Sequence, residues 1–141
     1  MSATTEKERY LVFISHASKD KWIAKQMLKE IEAKGRRFGV ATFLDAKDVA
    51  GGESIHEAIR VGIEACQEFL VLLTPNSILR PWILIELGAA WGQRKQIIAI
   101  THGVTIQDIP DILFPFKAIA LDDFEDYLAE MIQRAKGAKN A

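Results

Sequence analysis

Between Trp82 and Trp91 the chain reads W-I-L-I-E-L-G-A-A-W, and Glu86 is the single ionisable group in that run. Taking an unpaired carboxylate out of water costs on the order of several kcal/mol. Such an acid is either paired at the edge of a helix or aimed at something bound in a pocket. Trp82 lies four residues before it, which places both side chains on one helix face. Trp82 offers a flat surface on which a ring can stack, and partial burial makes the Glu86 carboxyl harder to ionise. An aromatic plate beside one acid suits the breaking of a sugar–heterocycle bond. As that bond lengthens the ribose becomes oxocarbenium-like, and a carboxylate stabilises the charge or holds a ribose hydroxyl. W-x-x-x-E alone is a weak motif, so its weight depends on the elements that carry it.

Five short apolar runs, at residues 10–15, 39–44, 69–74, 96–101 and 117–121, read as strands. The first, third and fourth (Y-L-V-F-I-S, F-L-V-L-L-T, Q-I-I-A-I-T) are almost continuously hydrophobic, as in a parallel sheet covered on both faces. Helical periodicity fills the gaps. Ser18 is placed to cap a helix bearing Ile23, Ala24, Met27, Leu28 and Ile31, with Gly35 as its stop. Ser54-Ile-His-Glu57 has capping-box spacing and opens a second helix, with Ile55, Ala58, Ile59, Gly62, Ile63 and Cys66 on one face. Pro81 suits the first turn of a third, and Asp122 caps a last one carrying Phe124, Tyr127, Leu128, Met131 and Ile132. A short helix is expected within residues 106–113, bounded by Pro110 and Pro115. Alternating strands and helices predict a doubly wound α/β sandwich occupying residues 9–135, with tails at 1–8 and 136–141.

Composition narrows the function. The 141 residues suffice for one domain with a real core, and 18 basic against 19 acidic residues argue against nucleic acid or an anionic membrane surface as partner. Cys66 is the only cysteine, so an intrachain disulfide is impossible, and it reads as a small core residue. No apolar run is long enough to span a bilayer, and M-S-A-T-T-E-K-E-R lacks a signal-peptide core, so a cytoplasmic protein is expected.

In such sheets ligands bind beyond the carboxyl ends of the strands. No G-x-G-x-x-G or G-x-x-x-x-G-K-[ST] follows the first strand, which removes dinucleotide-fold and P-loop readings. Ser15-His16 and Thr74-Pro75 stand where a receiver domain needs aspartates, and S-H-A-S-K-D is a poor flavin-phosphate loop. His16, His56 and His102 lack metal-ligand spacing, so no metal is expected. His56 reads as a solvated helix position. The long connection 45–54, with adjacent Gly51 and Gly52, reads either as a plain surface turn or as a mobile flap beside the pocket.

Three segments in register, V-F-I-S-H-A-S-K-D, F-L-D-A-K-D-V-A-G-G-E-S-I and L-V-L-L-T-P-N-S-I-L-R-P-W-I-L-I-E-L, together resemble a bacterial TIR (Toll/interleukin-1 receptor) domain over nearly the whole chain. The resemblance implies a flavodoxin-like three-layer sandwich with a five-stranded parallel sheet. It also implies that Glu86 matches the glutamate with which enzymatic members cleave NAD+ at the nicotinamide–ribose bond. Trp82 then matches the tryptophan that stacks on a bound base, Ser77 a serine near the pocket, and His16 and Ala17 the loop lining the nucleotide site. Asp45 starts the family's BB loop, with Gly51, Gly52 and Ser54 inside it or at its end. That loop borders the site and makes contacts between protomers, so a homo-oligomer is implied. NAD+ enters as substrate and no cofactor is implied. The chain departs from some eukaryotic members, which carry arginines after the first strand where Ala17 and Ser18 stand here. Phosphate contacts then fall to Lys19, Lys47 or a neighbouring subunit.

Two readings stand open from sequence. One is an NAD+ glycohydrolase or ADP-ribosyl cyclase making a linear or cyclic ADP-ribose signal, which a stand-alone bacterial member would supply in anti-phage defence. The other is a non-catalytic TIR–TIR scaffold that assembles through residues 45–54. Glu86 on the Trp82 face separates them, because a pure scaffold has no chemical use for it.

Overall fold

Strands with hydrocarbon at nearly every position need cover on both faces, and the chain supplies it with helices between them. The structure, a computed structural model, describes residues 9–44, 53–113 and 116–140. The elements run β1 (Tyr10–Ser15), α1 (Lys21–Gly35), β2 (Val40–Leu44), α2 (Glu53–Ala65), β3 (Glu68–Leu73), α3 (Pro81–Gly92), β4 (Gln96–Thr101), β5 (Lys117–Ala120) and α4 (Phe124–Asn140). All pairings are parallel, in the order β2-β1-β3-β4-β5. This is the expected flavodoxin-like three-layer sandwich, and each strand lies within a residue of its expected bounds at either end.

Alternation along the strands splits the core in two. Val12 and Ile14 of β1, Leu70 and Leu72 of β3, and Ile98 and Ile100 of β4 face α1 and α4. Phe13, Phe69, Val71, Leu73, Ile97 and Ala99 face α2 and α3. On that second face Phe43, Phe13 and Phe69 sit at one register across β2, β1 and β3. Their rings stack at centroid distances of 5.1 and 5.3 Å. Gly62 lets α2 approach this ladder: a Cβ there would lie 3.1 Å from both Phe13 and Phe43. Gly35 is tighter still, because a Cβ would meet the Val40 Cβ at 2.6 Å.

Local details differ from expectation where side chains are drawn into tertiary contacts. A 3-10 turn at Ser18–Asp20 precedes α1, which starts at Lys21 rather than directly after a Ser18 cap. Asp20 occupies the cap position, yet its side chain makes no cap bond. Its carboxylate instead accepts from Thr74 Oγ1 at 2.5 Å and from Asn76 Nδ2 at 2.8 Å. The expected short helix at 106–113 is two 3-10 turns, Ile106–Asp108 and Asp111–Leu113, because Pro110 between them cannot donate an amide to a continuous helix. Leu121–Asp123, where Asp122 was expected to cap, is also a 3-10 turn. Pro81 opens α3 as expected.

At the amino end of the sheet Glu68 is fully buried and bound on several sides. Tyr10 and Tyr127 donate their hydroxyls at 2.5 and 2.8 Å, and Arg134 donates from Nε at 2.7 Å. This ties β1, β3 and α4 together. Burial, then the Glu68 carboxylate, pushes both tyrosine hydroxyls above their ordinary range. Burial alone would weaken the Arg134 guanidinium, but its bonds and attraction to Glu68 outweigh that and hold it protonated. Burial likewise pushes the Cys66 thiol up to about 11, in keeping with its expected core role.

Two measurements test this packing. Gly35→Ala should destabilise by about 1–3 kcal/mol through overpacking, while Gly88→Ala, where a Cβ meets open space, should be neutral or stabilise by up to about 1 kcal/mol. Urea denaturation of each variant reads the difference. Because Cys66, Tyr10 and Tyr127 all hold their protons more tightly when folded, stability is complete below about pH 9 and falls as pH rises further. A urea midpoint that stays level from pH 8.5 to 11, at rates too fast for chemical damage, would contradict the burial of these groups.

Candidate functional site

A parallel sheet directs its ligand site to the strand ends where the winding reverses, here between β1 and β3. β1 continues into Ser15, His16 and Ala17, all buried. β3 continues into Thr74 and a turn through Ser77. Ser15 has the same parity as Phe13 and therefore points to the α2–α3 side of the sheet. There it meets α3.

In α3 the inward stripe is Ile83, Glu86, Leu87 and Ala90, at helical spacing. Glu86 thus takes a core position between hydrocarbons and is 1% exposed, deeper than the partial burial expected from sequence. Its Oε1 accepts a hydrogen bond from Ser15 Oγ at 2.6 Å. Trp82, one turn earlier, is half-buried and packs against the same apolar cluster. The opposite side of α3 carries Leu84, Ile85 and Trp91 into solvent, the last at 67% exposure. The helix holds its acid inside and much of its hydrocarbon outside.

The neighbouring loops are latched to each other. Asp20, from the loop after β1, is 4% exposed and joined to Thr74 and Asn76 as described above. Ser77 is also buried: its hydroxyl donates to the Leu72 carbonyl at 2.7 Å and accepts from the Thr74 amide at 3.0 Å. Its side chain therefore staples the turn after β3, and the turn in turn places Pro81 and the start of α3.

Of the site residues expected from sequence, Glu86, Trp82, His16, Ala17 and Ser77 all lie around the carboxyl ends of β1 and β3. Asp45 and Gly52 fall outside the described residues, as does Gly51. Ser54 enters only as a backbone position near the start of α2. Ser15, Asp20, Thr74 and Asn76 were not singled out by sequence reasoning. Strand parity was a usable signal for Ser15, a hydroxyl ending a hydrocarbon strand on the Phe13 side. Nothing local announces that Asp20 bonds across 54 residues to Thr74.

Among the described residues no group of three or more His, Cys, Asp or Glu side chains could hold a metal ion. None of their helices is long and apolar enough to cross a membrane.

A family model described as "TIR domain" matches residues 12–135. Over 113 residues the chain is 30% identical to a protein of Brucella abortus named probable 2' cyclic ADP-D-ribose synthase TcpB, covering 77% of this chain and 44% of that protein. It is 27% identical to the NAD(+) hydrolase TcpC of Escherichia coli, covering 71% of this chain and 33% of that one. The chain thus spans less than half the length of these curated relatives. The fold aligns with the TIR domain of the Toll-related receptor TRR-2 from Hydra magnipapillata at a TM-score of 0.64, with 21% identity, covering 87% of this chain and 94% of that chain. With nearly its whole length inside the matched family model, and with the five-stranded parallel sheet that the family likeness implied, the chain belongs to the TIR domain family.

Proposed function

We propose that this chain cleaves NAD+ at the nicotinamide–ribose bond, as a glycohydrolase or an ADP-ribosyl cyclase. One observation carries the reading: Glu86 occupies a buried, apolar stripe of α3 yet stands at the switch point of the sheet, bonded to Ser15 at 2.6 Å. A carboxylate in a core position costs stability that a hydrocarbon would not. Retaining it there makes sense if a cation develops beside it. The names of the relatives, an NAD(+) hydrolase and a cyclic ADP-ribose synthase, support the same choice.

In this mechanism the bond between ribose C1′ and the nicotinamide nitrogen breaks heterolytically. The electron pair goes to the nicotinamide ring, which loses its positive charge and leaves neutral. The ribosyl cation that remains is stabilised by the Glu86 carboxylate. Water captures it to give ADP-ribose, with loss of a proton, or an internal nucleophile of the ADP-ribose captures it to give a cyclic product. Trp82 supplies the plane beside a bound ring, His16 and Ala17 line the approach, and Ser77 holds the turn that sets α3. The product's use as a signal in anti-phage defence extends this reading on family resemblance alone.

A second reading, a non-catalytic module acting by TIR–TIR assembly, draws on the exposed Leu84, Ile85 and Trp91 of α3. That surface suits self-association of copies, either as the whole function or as a condition for catalysis. The two are separated by incubating concentrated protein with NAD+ and quantifying nicotinamide by chromatography. Wild type should release nicotinamide, and Glu86→Gln, shown folded by circular dichroism, should lose about 100-fold or more of that rate. Equal release by wild type and Glu86→Gln would remove Glu86 from the chemistry. A self-associating wild type that leaves NAD+ intact would favour the scaffold.

A further inference from the structure

We propose that Ser15 is a positioning residue for Glu86: its hydroxyl, fixed by the sheet, holds the carboxylate charged and oriented for the ribosyl cation. The inference rests on the NAD+-cleaving reading above for its consequences, though its physical core can be tested without it. Ser15 is the last residue of β1 and lies opposite Val71 of β3 in the parallel ladder. Its backbone is therefore held by the sheet, and its Cα–Cβ direction is set by strand parity rather than by a loop. The hydroxyl is fully buried and ends 2.6 Å from Glu86 Oε1. That separation falls in the range of about 2.5–2.7 Å typical of an O–H donor on a charged oxygen.

A hydroxyl in this place does two things. Donation to the ionised carboxylate favours the charged form, offsetting the apolar surroundings of Ile83, Leu87 and Ala90 that favour the neutral one. It also restricts rotation of the Glu86 side chain within the inward stripe of α3. A functional group on a helix, steadied by a second group on a strand, keeps its geometry better than one steadied by a loop. The described ionisable groups on the surrounding elements are few. His16 and Asp20 are buried in the loop after β1. On α2, Arg60 lies near Glu57 and Glu64 on the exposed side, and Glu68 lies at the far end of β3 with Arg134.

The test uses Ser15→Ala, Ser15→Thr (which keeps the donor) and Ser15→Cys (similar in size but a weak donor). Steady-state nicotinamide release is followed across pH, and the Glu86 side-chain carboxyl is titrated by carbon-13 NMR on each folded protein. Ser15→Ala and Ser15→Cys should lower kcat by about 10- to 100-fold with KM changed by about twofold or less. Loss of the donor should also move the acid limb of kcat, and the Glu86 titration midpoint, upward by about one pH unit. Ser15→Thr should restore both towards wild type. An unchanged midpoint and acid limb in Ser15→Ala would overturn the proposal and leave Ser15 as simple packing. If wild type releases no nicotinamide yet the midpoint still rises in Ser15→Ala and returns in Ser15→Thr, the NAD+ reading falls while the hold of Ser15 on Glu86 stands. If nicotinamide is released but the midpoint does not move, the reverse conclusion follows.

Discussion

A sheet covered by hydrocarbon on both faces leaves only its two ends for charge, and every buried acid placed there must be met by donors. Glu68 sits at the amino end and receives two tyrosine hydroxyls and a guanidinium. Asp20 and Glu86 lie at the carboxyl end with hydroxyl or amide donors. The ends are thus built differently. The amino end neutralises its carboxylate with a cation and closes around it, and at the other end Glu86, in the inward stripe of α3, accepts a hydrogen bond from Ser15. Charge balance suits a structural clasp. In the proposed reaction the Glu86 carboxylate faces a cation that appears only as the bond breaks.

The carboxyl end owes its shape to long-range bonds between short polar side chains. Asp20 gives up the capping role its position at the start of α1 would allow, and joins the loop after β1 to the turn after β3. A capping bond contributes about 1 kcal/mol, and Asp20 instead contributes two bonds in a buried place, where a charge-assisted bond is stronger than an exposed one. Ser77 fixes the same turn from within. Since that turn leads straight into Pro81, the placement of Trp82 and Glu86 follows from these bonds together with the packing of Ile83 and Leu87.

The outer surface of α3 belongs to the same design. Leu84, Ile85 and Trp91 face solvent on the helix whose inner stripe carries the acid. The same helix thus presents hydrocarbon on its outer side within one turn of the buried acid.

Much of this was legible in the chain. Continuous hydrocarbon in Y-L-V-F-I-S and F-L-V-L-L-T required a doubly covered parallel sheet, because hydrophobic side chains on both faces of a strand have no other stable place. The solitary acid in W-I-L-I-E-L-G-A-A-W marked α3 as unusual, and Trp82 four residues earlier shared its helix. The apolar periodicity of that helix, however, could not say which side faced inward, since hydrocarbon surrounds it. Only the packing of Ile83, Leu87 and Ala90 on the sheet put Glu86 inside and Trp91 outside. Capping preference likewise pointed Ser18 to a local role, whereas Asp20 holds the cap position in the structure and contact with Thr74 and Asn76 draws its side chain away from it. The sequence by itself determined the elements, their order and the acid in their midst, because those depend on local periodicity and solvent exclusion. The bond from Ser15 to that acid was decided only by the folded chain, because 71 residues separate the two and the pairing of β1 with β3 together with the packing of α3 on the sheet brings them together.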